Sequence, residues 1–278
     1  MTDQSLALCW GTLPGTPLVE LAEIAAGSGY AHITITAGLY GQALAAGETD
    51  ATLRRRLKDA GIGVAVVDPL IGMLPGVPPA ETVAEAYRPF LRFTADECFA
   101  AAAALDAPTV NLAHFLGQAV PLAELAETVA QLAARGRREG RVLSIEFIPD
   151  TGIPDLATAL TLAHLAGGGI GVMFDTWHFV RSGGVIEDLE GLGPHAIGGL
   201  QLSDRTPPAP GEAYVPMSGR KLPGDGEIPL VEILRRVLPA AEGVPVGVEV
   251  FSADLAALPK LDAAKKVAEA TRRVLARL

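Results

Sequence analysis

Eight short runs rich in Val, Ile and Leu recur along this chain, each separated from the next by a stretch that reads as helix. The runs are LALCW (6–10), AHITIT (31–36), GVAVVD (63–68), PTVNLAH (108–114), VLSIEFI (142–148), GVMFD (171–175), IGGLQLS (197–203) and VGVEVF (246–251). Their length and β-branched content mark them as strands. Between them lie PLVELAEIAAGS after Pro17, TDATLRRRLKDAG capped by Thr49 or Asp50, and the Ala-rich ETVAEAYRPFLRFTADECFAAAAALDA. LAELAETVAQLAARGRREG, DLATALTLAHLAG, a weak piece near IEDLEG, PLVEILRRVLPAA and the terminal AALPKLDAAKKVAEATRRVLARL follow, with the spacing and propensities of helices. Glycines 27, 29, 61, 140 and 167 to 169 stop helices ahead of the next strand, as a left-handed C-terminal cap requires.

Strands alternating with helices over about 250 residues have the size and rhythm of a closed (β/α)8 TIM barrel, an α/β fold. One domain over residues 1–278 is expected, since no linker divides the chain. An open doubly wound sheet is the alternative. Against it, no GxGxxG or P-loop motif follows the first run, and polar residues recur at the ends of many runs rather than at one crevice. The Pro-rich stretch from 205 to 229 reads as a long rim loop that carries function.

The 278 residues are 49% hydrophobic and 5% aromatic with a mean hydropathy of +0.32, enough aliphatic surface for a sizeable core. Acidic residues outnumber basic ones 32 to 22, and the one basic cluster, RRRLK at 54–58, reads as a solvated helix face. Nucleic acid is therefore not an expected partner; a small-molecule substrate is. Cys9 and Cys98 lack CxxC spacing and read as buried free thiols. The N-terminus MTDQSLALCW has no basic region followed by a long apolar one, and no run of about 18 apolar residues occurs, so a cytoplasmic protein without membrane contact is expected. Apolar outer helices of this kind often associate, which leaves a homo-oligomer open.

In a parallel barrel the C-terminal strand ends emerge at one rim, here Trp10, Thr36, Asp68, His114, Glu146, Asp175 with His178 three residues on, Gln201 and Glu249. Glu146, Asp175, Gln201 and Glu249 would then stand close enough to hold a divalent cation. A carboxylate inside LSIEF or VGVEVF is costly to bury without a cation or hydrogen-bond donors. Pairing of each Glu with an Arg inside the barrel is the structural alternative. His114 either supports a ligand or is a hydrogen-bonded core residue, and His32 and His164 read as structural or solvated. Arg181 and Ser182 offer contacts to a substrate carboxylate or phosphate, or Arg181 pairs with a rim acid. Asp204 and Arg205 support the site or hold a loop; Trp10 and Trp177 wall the pocket or pack. Trp10, Asp68, His114 and Arg181 are thus candidate substrate contacts.

The Glu of IEF, FDTWH, LQLSDR, RKLPGDGEIPL and the Glu of VEVF, in this order, resemble the xylose isomerase-like TIM-barrel superfamily, in particular its sugar phosphate isomerase/epimerase branch. The likeness spans nearly the whole chain and is strongest from 142 to 251. It implies metal ligands at Glu146, Asp175, Gln201 and Glu249 and substrate contacts at His178 and Arg220. The third ligand is often His in this superfamily; Gln201 makes the set all oxygen, which suits Mg²⁺ or Mn²⁺ better than Zn²⁺ and leaves Co²⁺ and Zn²⁺ compatible. It also weakens an endonuclease reading, whose zinc cluster relies on several histidines. Gln at this place among dehydroshikimate dehydratases keeps a lyase reading open.

The chemistry follows from the groups. A cation bound by both oxygens of an α-hydroxy ketone would acidify the neighbouring C–H and stabilise an enediolate. Glu146 and Glu249, on strands well apart, could exchange protons on opposite faces of that carbon, giving epimerisation or aldose-ketose isomerisation of a small sugar or polyol-derived ketone. With a β-hydroxyl present, His178 as acid would turn the same site into a lyase of a 3-dehydroshikimate or inosose type of ketone. A barrel that binds a ligand without turnover is the non-enzymatic alternative. The loops at 68–79 and 206–219 would shape the pocket, and neither carries a sugar or phosphate motif.

Overall fold

The computed structural model describes residues 4–206 and 219–278. Strands β1 (Leu6–Leu8), β2 (His32–Ile35), β3 (Gly63–Leu70), β4 (Thr109–Ala113), β5 (Val142–Glu146), β6 (Gly171–Asp175) and β7 (Ile197–Leu202) alternate with helices. A two-stranded antiparallel ribbon follows, β8 (Asp204–Arg205) with β9 (Arg220–Lys221), and then β10 (Val246–Val248). All strands but the ribbon are parallel and close into a barrel in the order β1-β10-β7-β6-β5-β4-β3-β2. The eight expected strands are all present, several of them ending sooner than expected because the chain leaves the ladder as it reaches the rim.

Strand alternation sorts the side chains. Leu143, Ile145 and Phe147, Val172 and Phe174, and Val246, Val248 and Val250 join the main core, between the barrel wall and the helices. Period two then turns Ser144 and Glu146, Asp175, and Glu249 toward the barrel axis. The outer helices complete the core with Leu21, Leu53, Phe99, Leu125, Leu162, Ile233 and Val267. Inside the barrel, near its N-terminal end, the filling is slight. Ala7, Ala65, Val66 and Met173 form a small cluster, and a cavity of about 570 Å³ lined by Thr34, Thr109, Gly199, Gly247 and Gln201 opens on that end. Barrels of this kind normally fill this space with branched side chains.

Several helices differ from the expectation. The stretch 81–107 is not one helix: Arg88–Arg92 ends at Phe93, and Thr94 caps a new helix, Ala95–Ala104. Thr94 and Glu97 form a reciprocal capping box there, which outweighs continuity of the Ala-rich pattern. Pro259 takes the position before Lys260–Leu275 and separates it from the short helix Ala253–Ala256. The piece near IEDLEG is one 3-10 turn, Ile186–Leu189. Two helices were not expected, Ala37–Ala45 capped by Thr36 and Thr176–Arg181 capped by Asp175. Gly29, Gly61, Gly140 and Gly167 to Gly169 adopt positive φ as expected, whereas Gly27 is the last residue of the helix Leu18–Gly27. Cys9 and Cys98 are buried and free. Among the described residues no helix is long and apolar enough to cross a membrane.

Phe147 is fully buried, with its ring 5.9 Å from that of Phe174. Phe147→Ala is expected to destabilise the fold by about 3–5 kcal/mol, read as a lower midpoint in urea unfolding.

Candidate active site

Strand register fixes which groups meet at the mouth. Glu146 lies level with Ala113 on one side and Met173 on the other, so Asp175 stands two residues higher on the same face. Asp175 is level with Gln201, and Gln201 with Gly247, which puts Glu249 two residues higher again. Because the side-chain period is two, all four point to the axis. All four are buried.

The tightest grouping is Glu146, Asp175 and His178, which offer ligand atoms within 4.8 Å of one another. His178 reaches it because Asp175 caps the helix that bears it: Asp175 Oδ1 accepts from the backbone N–H of Trp177 at 2.7 Å and of His178 at 3.3 Å. His178 Nε2 then lies 3.5 Å from Glu146 Oε1 and 3.7 Å from Asp175 Oδ2. Glu249 joins through Arg220, whose Nη1 is 2.6 Å from Asp175 Oδ2 and 3.5 Å from Glu249 Oε2. Gln201 donates from Nε2 to Asp68 Oδ2 at 3.3 Å, while its buried Oε1 has no hydrogen-bond partner.

Arg220 is brought in by the rim ribbon. Asp204, on β8, accepts hydrogen bonds from the backbone N–H groups of Gly224 and Ile228 at 3.0 and 2.9 Å, folding the PGDGE loop over its own carboxylate. A Cβ at Gly226 would collide with Asp204 and the Arg205 carbonyl, so the loop needs glycine there. Arg205 pairs with Glu227 in the same loop at 3.0 Å. Of the two roles open to Asp204 and Arg205, the structure therefore displays loop holding. The Arg220 guanidinium sits 5.2 Å from the ring centres of both Trp177 and Phe251.

Above these groups is a cavity of about 60 Å³ lined by Trp10, Asp68, Phe90, Phe115, Glu146, His178, Arg220, Glu249 and Phe251 with smaller apolar residues. Gly11 lets its wall close: a Cβ there would lie 2.7 Å from Glu249 Oε1 and collide with the Phe251 ring. Two candidate substrate contacts fall elsewhere. His114 Nδ1 accepts from the Gly152 N–H at 3.0 Å and its Nε2 lies 2.7 Å from the Pro75 carbonyl, so it ties two loops together outside the cavity lining. Arg181 lies 5.3 Å from the Trp177 ring centre, also outside that lining. Sequence reasoning passed over Asn111 and Ser144. Asn111 Nδ2 donates to Asp68 Oδ1 at 2.7 Å and to Glu146 Oε2 at 2.9 Å, and its Oδ1 accepts from Ser144 Oγ at 2.9 Å. The signal that exposed Glu146, a polar residue within an apolar strand, applied to both. The part of the rim loop at 207–218 lies outside the described residues.

The charges do not balance. Asp68, Glu146, Asp175 and Glu249 are buried with Arg220, and burial pushes His178 down to about 4, so it is neutral at pH 7. Burial, reinforced by the neighbouring acids, raises Glu146 well above the carboxylate range and Glu249 to about 8. Burial alone would lower Arg220, but Asp175 and Glu249 overcome it and keep it charged. Excess acid, an orphaned carbonyl oxygen on Gln201 and an imidazole whose Nε2 faces Glu146 and Asp175 form a donor set that fits a divalent cation. The nitrogen departs from the all-oxygen set expected from sequence.

The sequence profile of the xylose isomerase-like TIM barrel family matches residues 22–277, and the chain belongs to that family. Comparison with curated protein sequences gives no match. Among solved structures, the zinc-bound IolI protein superposes with a TM-score of 0.83 at 18% identity over 98% of both chains. The probable 3-DHS dehydratase AsbF from Bacillus anthracis gives 0.73 at 14% identity, over 96% of this chain and 98% of its own. A D-psicose 3-epimerase from Clostridium cellulolyticum H10, solved with D-tagatose, gives 0.71 at 15% identity, over 98% of this chain and 99% of its own. At these identities the likeness establishes the fold.

Glu249, raised from 4.5 to about 8 in the folded protein, stabilises the fold below its unfolded value, and that contribution is lost as pH rises through about 8. In chelator the thermal midpoint is therefore expected to fall as pH rises from about 5 to about 8 and to level off above that, and an added divalent cation to flatten the fall. A midpoint that stays level in chelator over that window contradicts this charge assignment.

Proposed function

We propose that the chain is a divalent-cation-dependent isomerase or epimerase of a small uncharged ketose or polyol-derived ketone. The observation that carries the reading is the pair of buried carboxylates facing one small cavity from separated strands: Glu146 ends β5, Glu249 follows β10, and β6 and β7 lie between. Glu146, Asp175 and His178, with Gln201 and Glu249 beside them, would hold the cation. When bound, it would polarise a substrate carbonyl and acidify the adjacent C–H. A mixed nitrogen and oxygen set suits Mn²⁺, Co²⁺ or Zn²⁺ as well as Mg²⁺.

The protein's own groups supply the rest. Glu249, with its proton affinity raised toward neutrality, is poised to take or give a proton on one side of the substrate, and Glu146 on the other. Trp10, Phe90 and Phe251 stack against one another, with ring centres 5.3 and 5.8 Å from that of Trp10, and present an apolar wall to the C–H face of a sugar or ring while excluding water. Arg220, the cation in this lining, is engaged by Asp175 and Glu249, and residues 207–218 contain no Lys or Arg. A phosphate or carboxylate on the substrate would meet more negative than positive charge, which favours an uncharged ketone over a 3-dehydroshikimate type of substrate.

The test is proton exchange of unphosphorylated ketoses and inososes in deuterated water with the cation-loaded protein. Glu146→Gln and Glu249→Gln are each expected to slow exchange at the carbon next to the carbonyl by about 10²–10⁴-fold without loss of circular dichroism. Exchange that persists in both variants rejects the acid-base pair. A growing absorbance from conjugated ketone in the same incubation would instead identify the lyase, with His178 as the acid.

A further inference from the structure

Asp68 lines the mouth, yet both of its oxygens are taken by the protein. Oδ1 accepts from Asn111 Nδ2 at 2.7 Å, and Oδ2 accepts from Trp10 Nε1 at 3.4 Å and Gln201 Nε2 at 3.3 Å. Asn111 also donates from Nδ2 to Glu146 Oε2 at 2.9 Å, and its Oδ1 accepts from Ser144 Oγ at 2.9 Å. An indole N–H only donates, so Asp68 Oδ2 is an acceptor toward Trp10. Gln201 presents its NH₂ to Asp68, and its Oε1 is left without a partner although the residue is only 1% exposed. A buried acceptor left unmade is costly, so an arrangement that leaves one calls for something to fill it.

We propose that Asp68 is a positioning residue that fixes the amide of Gln201 so that the carbonyl oxygen is held ready as a ligand for the divalent cation. Metal-bound histidines are commonly oriented by a carboxylate that accepts their second N–H, which also makes the ligand more basic. Asp68 does the same for an amide: it accepts from Nε2 and increases the negative charge on Oε1. This assigns Asp68 a role different from the substrate contact suggested by its place at a strand end. The inference rests on the cation reading of the site, and its test reads cation affinity, which needs no substrate.

Mn²⁺ binding to chelator-stripped protein is measured by calorimetric titration at fixed pH for the parent chain, Asp68→Asn, and two double variants. Asp68→Asn is expected to weaken binding by about 10–100-fold, because the amide at 68 no longer dictates which way Gln201 faces. Asp68→Asn with Gln201→Glu restores a donor facing an acceptor at this pair and is expected to recover affinity to within about threefold of the parent. Asp68→Asn with Asn111→Asp returns the same charge to the network without rebuilding the pair, and is expected not to recover. Affinity unchanged in Asp68→Asn, or equal recovery in both doubles, overturns the proposal; the second result would assign the effect to charge alone. A parent chain that binds no Mn²⁺ rejects the cation reading and the proposal with it. Should Asp68→Asn fail to fold, Trp10→Phe removes one donor to Asp68 without changing charge; a loss of affinity of about threefold is then expected, and unchanged affinity overturns the proposal.

Discussion

Four carboxylates buried around a single guanidinium set the terms for the mouth of this barrel. Burial raises the proton affinities of Glu146 and Glu249, and repulsion from neighbouring acids, strengthened by the low local polarity, adds to it. A structural cluster would supply each acid with its own Arg. Here Arg220 serves Asp175 and Glu249 together, and among the described residues Glu146 forms no ion pair with Lys or Arg. That imbalance is the observation on which the cation reading of the site rests.

Arg220 in turn depends on backbone. Its ribbon is anchored by Asp204, which neutralises nothing and instead gathers N–H groups from the loop that follows. A carboxylate satisfied by peptide dipoles leaves the guanidinium free to reach inward between Trp177 and Phe251. The aromatic faces then raise the value of the charge pair by keeping water away from it. Loop, ribbon and rings thus act on the acids through one side chain.

Most of the barrel could be read from the chain because each strand carries its own local signal, an apolar run of fixed length, and the register that aligns the acids follows from closure. The helices were less legible where a cap competes with a pattern. Thr94 interrupts an Ala-rich stretch, Thr36 starts a helix in the Gly-containing AGLYGQALA, and Asp175 serves as both partner of Arg220 and helix cap. His114 shows a different limit. It ends its strand one residue beyond Ala113, which is level with the inward Glu146, so alternation turns the imidazole away from the axis and into the loops at Pro75 and Gly152. Position at a strand end was visible in the sequence, but parity with respect to the neighbouring strand was not. Asn111 and Ser144 share the parity of Glu146 and were passed over because a neutral polar side chain costs less to bury than an acid.

The same parity explains how the floor of the site is held. Below it the inward positions are Ala7, Ala65, Gly199 and Gly247, which leave a cavity where most barrels place packed aliphatic layers. Support from beneath is therefore weak, and the polar layer has to fix itself from the side. Trp10, Asp68, Asn111, Ser144, Glu146 and Gln201 do so with hydrogen bonds that run from the segment after β1 through β3, β4 and β5 to β7. In the observed orientation Asn111 meets Asp68, Glu146 and Ser144 at once, while Gln201 donates to Asp68 and keeps its Oε1 unpaired. A packed hydrocarbon floor would locate these strands equally well but could not orient an amide. Orientation is what a neutral ligand requires, since an amide turned by half a rotation presents N–H groups where a carboxylate would present a second oxygen.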